Sequence, residues 1–168
     1  MKKKVALVST GGTIEKTYNE LSGLLDNEVA VLDVMLSQLQ LTSLHLERIR
    51  LMNKDSLDMS ADDHLLIAST SLKLAEEYDG VVVVHGTDRL AETGEKILEI
   101  KTTPDSPIVL TGAMRPFELK STDALQNLTE SFLAVQLLDP GVYVAMHNNV
   151  LKFPGVVKDK KRGTFIKT

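Results

Sequence analysis

The sequence predicts an α/β fold, a single three-layer domain in which helices cover both faces of a mainly parallel sheet. Three observations point there. Short β-rich runs alternate with longer segments of helical period, the order expected of βαβ units. Three of those runs, Val5-Ala6-Leu7-Val8, Val81-Val82-Val83-Val84 and Pro107-Ile108-Val109-Leu110, are apolar throughout instead of alternating, as strands covered on both faces should be. And a chain of 168 residues with 43% apolar and 25% charged positions is one ordinary domain, long enough to bury roughly two-thirds of its unfolded surface.

Taken in order, Val5–Ser9 is the first strand. Its lysine-led start resembles a secretory signal, but the apolar run breaks at Ser9-Thr10-Gly11-Gly12, too soon for one. Val31 to Leu39 is a helix and Leu44–Leu51 the second strand. A helix follows, striped by Leu65, Ala68, Leu72 and Ala75 and introduced by Ser60 and Asp63 at capping-box spacing. Val81–His85 is the third strand, Leu90 to Ile100 a helix and Ile108–Thr111 the fourth strand. Leu125, Leu128, Phe132, Val135 and Leu138 stripe a helix that opens near Ser121 and stops at Asp139-Pro140-Gly141, and Val142–Met146 is the fifth strand. The last stretch, 147–168, contains proline and lysine without helical period and reads as a strand or hairpin plus an extended tail. There is no internal repeat.

Charge and composition narrow the function. A net charge of −4 offers no broad positive field, which argues against nucleic acid and anionic membrane as partners and for a small ligand. No stretch approaches the roughly 18 uninterrupted apolar residues of a membrane span. With no cysteine, any nucleophile is a hydroxyl, amine, carboxylate or imidazole, and the chain suits the reducing cytosol; the Asn127-Leu128-Thr129 sequon then carries no meaning. His45, His64 and His147 show no ligand spacing, so neither a metal nor another cofactor is expected.

Ligands in open α/β sheets gather at the carboxyl ends of the strands, so the residues after each strand carry the functional signal. After the first comes Ser9-Thr10-Gly11-Gly12-Thr13-Ile14, a hydroxyl-rich glycine turn able to bring backbone close to a ligand. Such turns also cradle phosphates or merely reverse the chain, but neither G-x-G-x-x-G nor Gly-Lys-Ser/Thr is present. After the third comes His85-Gly86-Thr87-Asp88, a hydroxyl beside a carboxylate on a rigid strand end, where Thr87 or Asp88 could equally cap the next helix. His85 itself reads as a core or supporting residue. The small residues of Gly112-Ala113-Met114-Arg115-Pro116 let backbone line a pocket wall. Ser56 and Asp58 could be pocket groups or turn formers, and Lys158-Asp159-Lys160-Lys161-Arg162 is by default a solvated surface.

Thr10-Gly11-Gly12-Thr13-Ile14, His85-Gly86-Thr87-Asp88, Gly112-Ala113-Met114-Arg115-Pro116 and the Asn149-Val150-Leu151 run before Lys158, in that order, resemble the bacterial L-asparaginase (asparaginase/glutaminase) family. The resemblance implies a flavodoxin-like sheet and a chain, 1–168, similar to the amino-terminal domain alone, with the family's usual carboxyl-terminal domain absent. It implies hydrolysis of the side-chain amide of L-asparagine to L-aspartate and ammonia by a cytoplasmic homo-oligomer. Thr13 matches the family's nucleophile, and Tyr18 the mobile-loop tyrosine beside it. Thr87, Asp88 and Lys158 match a second cluster, in which the lysine eases deprotonation of the threonine. Ser56 and Asp88 match residues that hold the substrate's α-carboxylate and α-amino groups, with Gly12, Asp55, Leu57, Thr87 and Ala113 alongside them as substrate-binding positions. The chain departs from the family pattern at Glu15, Arg89 and Leu57. Two other readings share these motifs: an ammonia-donating module of an amidotransferase, which needs a partner protein, and a non-catalytic amino-acid-binding domain, against which the retention of Thr13, Thr87, Asp88 and Lys158 argues.

Overall fold

The computed structural model describes residues 2–27 and 31–168. In chain order the elements are β1 (Lys3–Gly11), β2 (Thr17–Asn19), β3 (Leu24–Asp26), α1 (Val31–Ser37), β4 (Leu44–Lys54), α2 (Ala61–Glu77), β5 (Gly80–Val84), α3 (Leu90–Ile100), β6 (Ile108–Thr111), α4 (Ala124–Leu137), β7 (Val142–Met146), β8 (Asn149–Lys152), β9 (Val156–Asp159) and β10 (Thr164–Lys167). Six strands form the main sheet in the order β4-β1-β5-β6-β7-β8. The first five are parallel, and counted among themselves they run 2-1-3-4-5, the flavodoxin-like order. β8 adds an antiparallel edge against β7.

Period-two alternation divides the apolar strands between two cores. Ala6, Val8, Val81, Val83, Ile108 and Leu110 face α2 and α3, where Ile67, Ala68, Leu72, Leu90 and Ile97 meet them. Val5, Leu7, Val82, Val84 and Val109 face the other way, onto Leu32 and Met35 of α1 and Leu128, Phe132 and Val135 of α4. The outer strand β4 is half-buried or exposed after Leu44, alternating only over its first five residues, as an edge strand covered less completely should be.

α2 begins as the sequence predicts: Ser60 accepts from the Asp63 amide while the Asp63 carboxylate accepts from the Ser60 amide. Ala68, Leu72 and Ala75 of the predicted stripe are buried, joined by His64, Ile67 and Ser71, while Leu65 is exposed at its edge. α4 starts at Ala124 instead of near Ser121. The carboxylate of Asp123, at its N-cap, accepts from the amides of Met114 and Arg115 and so holds the preceding loop instead of capping the helix.

Two features carry no periodic signal. β2 and β3 pair as a three-residue hairpin too short to show alternation. The β7–β8 reversal is made by His147 and Asn148, both left-handed at φ 56° and 58°, the conformation a two-residue hairpin turn requires. β9 and β10 form a separate antiparallel ladder packed on the α2–α3 side through Val156 and Phe165. Among the described residues no helix is long and apolar enough to cross a membrane.

Candidate active site

β1 and β5 are the adjacent strands from which the sheet winds in opposite directions, the switch point at which ligands collect. The loops that leave them touch. Gly12 has φ 86° and ψ −177°, backbone open essentially to glycine alone. A Cβ there would lie 2.5 Å from both Cα and N of Gly86. Gly86 in turn abuts Ser56, whose Oγ would be 2.6 Å from a Cβ on that glycine. The segments after β1 and β5 thus meet backbone to backbone, and the Ser56 side chain of the segment after β4 fills the space that a side chain on Gly86 would need. Ser56 is buried, and its Oγ accepts from the Arg89 amide at 3.3 Å.

Thr87, 4% exposed, stands at the end of β5 and directs its hydroxyl at the Met114 sulfur, 3.7 Å away in the loop after β6. Lys158 reaches it from β9: its Nζ donates to Thr87 Oγ1 at 2.8 Å and to Asp88 Oδ1 at 2.8 Å. The lysine side chain is 14% exposed against 35% for Asp88, so the ammonium sits at the boundary between core and solvent. In the ladder Lys158 pairs with Phe165, which is buried, so the lysine stem lies over the core while its head extends to the threonine. A threonine hydroxyl that accepts from an ammonium is one whose alkoxide would be stabilised.

The other expected residues surround this trio. Thr13 opens a 3-10 turn at the mouth of the first loop and is partly exposed; its carbonyl accepts from the Lys16 amide, while among the described residues nothing hydrogen-bonds to its hydroxyl. The amide of Gly12 is taken by the Lys54 carbonyl at 3.0 Å, so it is no donor for a substrate oxygen. Ala113, next to Met114 in the loop after β6, is buried. Asp55 accepts from the Leu57 amide and pairs with Lys16. Burial opposes the charge on Asp55, but the bonds from Lys16 and Leu57 outweigh it and hold the carboxyl below its usual range. Two positions are not drawn into the trio. Leu57 projects into solvent, and Tyr18 on β2 is 58% exposed, its amide donating to the Glu118 carboxylate.

Sequence reasoning missed Lys16 and Asn27, and named Met114 only as part of a wall, without its contact to Thr87. Asn27 Nδ2 donates to the Gly12 carbonyl at 2.9 Å, and with Lys16 it lines a polar cavity of about 490 Å³ that extends to Asn53 and Asp55. None of the three belongs to a periodic pattern; they matter because they contact residues distant in sequence. Among the described residues no group of three or more His, Asp and Glu is arranged to hold a metal ion.

Comparison with known proteins extends the geometry. The family described as Asparaginase, N-terminal, matches residues 4–164. The L-asparaginase of Thermococcus kodakarensis is 30% identical over 154 residues, which are 88% of this chain and 45% of that protein. A glutamyl-tRNA(Gln) amidotransferase component from Methanobrevibacter smithii is 26% identical over 151 residues, 89% of this chain and 34% of that one. A solved structure, the thermostable L-asparaginase from Thermococcus kodakarensis, matches with a TM-score of 0.85 at 28% identity over 98% of this chain and 51% of its own. The chain therefore spans less than half the length of the first two relatives.

Proposed function

We propose, from the premise that this chain belongs to the asparaginase family through that amino-terminal domain, that it hydrolyses the side-chain amide of L-asparagine to L-aspartate and ammonia. The observation that carries the reading is the Lys158 ammonium bound to both Thr87 Oγ1 and Asp88 Oδ1 at the sheet's switch point. In this reading Thr13 Oγ attacks the amide carbon, the C–N bond breaks with a proton delivered to the departing ammonia, and water then cleaves the resulting ester to release aspartate. A threonine hydroxyl is a weak nucleophile near neutral pH and needs an activating group; Thr87, Asp88 and Lys158 are the groups able to move and hold that proton. The free Thr13 hydroxyl is consistent with a nucleophile awaiting substrate.

Ser56, Gly12, Asp55 and Ala113 supply the walls against which the amino-acid ends are held, and Asp88 is the acceptor for the α-amino group. Tyr18, on β2, and Leu57, in the turn after β4, lie at the exposed rim. The reading includes association with copies of the same chain and a cytosolic setting, which suits a sequence without cysteine.

Ammonia release measured with asparagine and glutamine side by side tests this. Thr13→Ala and Lys158→Met should each lower turnover of asparagine by about a hundredfold or more, the scale of losing a positioned proton-transfer group, with the fold intact. Normal turnover in either folded variant would sink the mechanism. The Methanobrevibacter smithii relative favours a second reading, an ammonia-donating module; copurification of a partner protein that must be present for ammonia release would establish it instead. Binding of asparagine without release in the wild type would leave a non-catalytic binding domain.

A further inference from the structure

Behind the Thr87–Asp88–Lys158 trio lies a line of buried polar groups that the mechanism above does not use. His64 of α2, Thr93 of α3 and His85 at the end of β5 are 3%, 0% and 0% exposed. His64 Nδ1 is 2.6 Å from Thr93 Oγ1, Thr93 Oγ1 is 2.8 Å from His85 Nε2, and His85 Nδ1 is 2.8 Å from the Gly86 carbonyl. The two imidazoles stack with centroids 5.9 Å apart.

A carbonyl oxygen can only accept, which assigns every proton along this line. Nδ1 of His85 must carry hydrogen, so Nε2 of the neutral ring accepts, and the Thr93 hydroxyl must donate to it. The Thr93 oxygen then accepts from His64 Nδ1–H. His64 Nε2 is left as a bare acceptor, buried and without a partner, 3.7 Å from the Glu92 carboxylate, which also only accepts.

We propose that His64, Thr93 and His85 form a one-way hydrogen-bond relay that clamps the Gly86 carbonyl and so positions Thr87 and Asp88 for the reaction. The inference rests on the role given to that pair above. Clamping the carbonyl fixes the plane of the Gly86–Thr87 peptide, and with it the direction in which β5 delivers the Thr87 side chain. The same glycine touches Gly12 and Ser56, so a shift at residue 86 reaches three walls of the site together. These are positioning residues: none of the three hydrogen-bonds to Thr87, Asp88 or Lys158.

The electrostatics agree with neutral rings. Burial pushes His85 down to about 4, against the pull of the Gly86 carbonyl. For His64 burial is again the largest influence and lowers it, with Arg89 and Lys96 acting the same way and Glu92 and Asp63 opposing.

Nitrogen NMR of the histidine rings in the wild-type chain is the first measurement. At neutral pH both His64 and His85 should show hydrogen on Nδ1 and a bare Nε2; a His85 protonated on Nε2 instead overturns the relay. Thr93→Val keeps the shape and removes the hydroxyl, whereas Thr93→Ser retains it. In Thr93→Val the His85 ring should titrate at higher pH, having lost the bond that favours its neutral form, and the backbone amide signals of Thr87 and Asp88 should move. Asparagine turnover should fall about tenfold in kcat with KM within about twofold, and Thr93→Ser should restore all three readouts. Unmoved Thr87 and Asp88 amides, or unchanged kcat, in folded Thr93→Val overturn the positioning role. A wild type that releases no ammonia but has both rings protonated on Nδ1, and whose Thr87 and Asp88 amides shift in Thr93→Val, refutes the hydrolase reading while upholding the clamp on residues 86–88.

Discussion

Replacing Gly12 by alanine brings a methyl group to 2.5 Å from Gly86 Cα and N, backbone atoms that no rotamer change can move aside. Two costs add. The first is conformational: φ 86° with ψ −177° is a region that a residue with a Cβ enters at about 1–3 kcal/mol. The second is the overlap itself, which in a packed interior costs about 1–3 kcal/mol as neighbours shift. A total near 4 kcal/mol, at about 2–4 °C for each kcal/mol in a domain of this size, lowers Tm by about 8–16 °C. Gly23→Ala is the control, because Gly23 also has positive φ, 73°, but nothing lies within 4 Å of its Cβ position. It should lose only the conformational part, about 1–2 kcal/mol. Thermal unfolding followed by circular dichroism compares the two directly. Equal losses in the two variants would refute the claim that the loops after β1 and β5 meet without intervening side chains. If Gly12→Ala folds at low temperature, its asparagine turnover should also fall, since whatever moves Gly86 moves Thr87.

Two further outcomes follow from the same geometry. Burial opposes ionisation of Asp123, but bonds from the Met114 amide, His147, the Arg115 amide and Asn127 outweigh it, so its folded pKa lies below the ordinary aspartate value. Its contribution is therefore present above that ordinary value and lost as pH falls through the folded one. Asp123→Asn should be about 1–3 kcal/mol less stable than wild type at neutral pH, with the gap closing in acid; urea midpoints that stay equally far apart from pH 7 to pH 2 would contradict this. Association of the chain with itself should appear as a particle larger than 18.5 kDa by light scattering at micromolar concentration, and a monomer would contradict that part of the proposal.

The sheet was legible because its central strands are hydrophobic on both faces, and that pattern has no other economical reading once Val81-Val82-Val83-Val84 is flanked by helical periods. Ser60 and Asp63 marked the start of α2 for an equally local reason, since a capping box closes within four residues. The start of α4 was placed near Ser121 and Asp123 was given no role, because its partners, Met114, Arg115 and His147, lie 8 to 24 positions away, and no local rule reports a carboxylate drawn to another loop. The loop sequences around Thr13 and Thr87 stood out by composition and family resemblance. Lys16 and Asn27 did not, because their partners Asp55 and Gly12 become neighbours only when the β4 and β1 ends close on each other. Lys158 shows both limits at once. Its charged neighbourhood reads as surface, and Lys160 and Lys161 are indeed exposed, while its own place opposite Phe165 turns it inward.

That placement divides the molecule's duties. The sheet and four helices hold the fold, but the ammonium that meets Thr87 comes from a four-residue strand whose ladder belongs to no part of the main sheet. Side chains on a strand alternate between faces, so sliding β9 by one position against β10 would exchange Lys158 for Val157 or Asp159. The length of the turn between them, residues 160–163, thus sets two things at once: which side chain meets Thr87, and whether Val156 stays in the α2–α3 core beside Phe165. Chemistry and packing are therefore coupled in this hairpin: a change of register there would cost stability together with the ammonium.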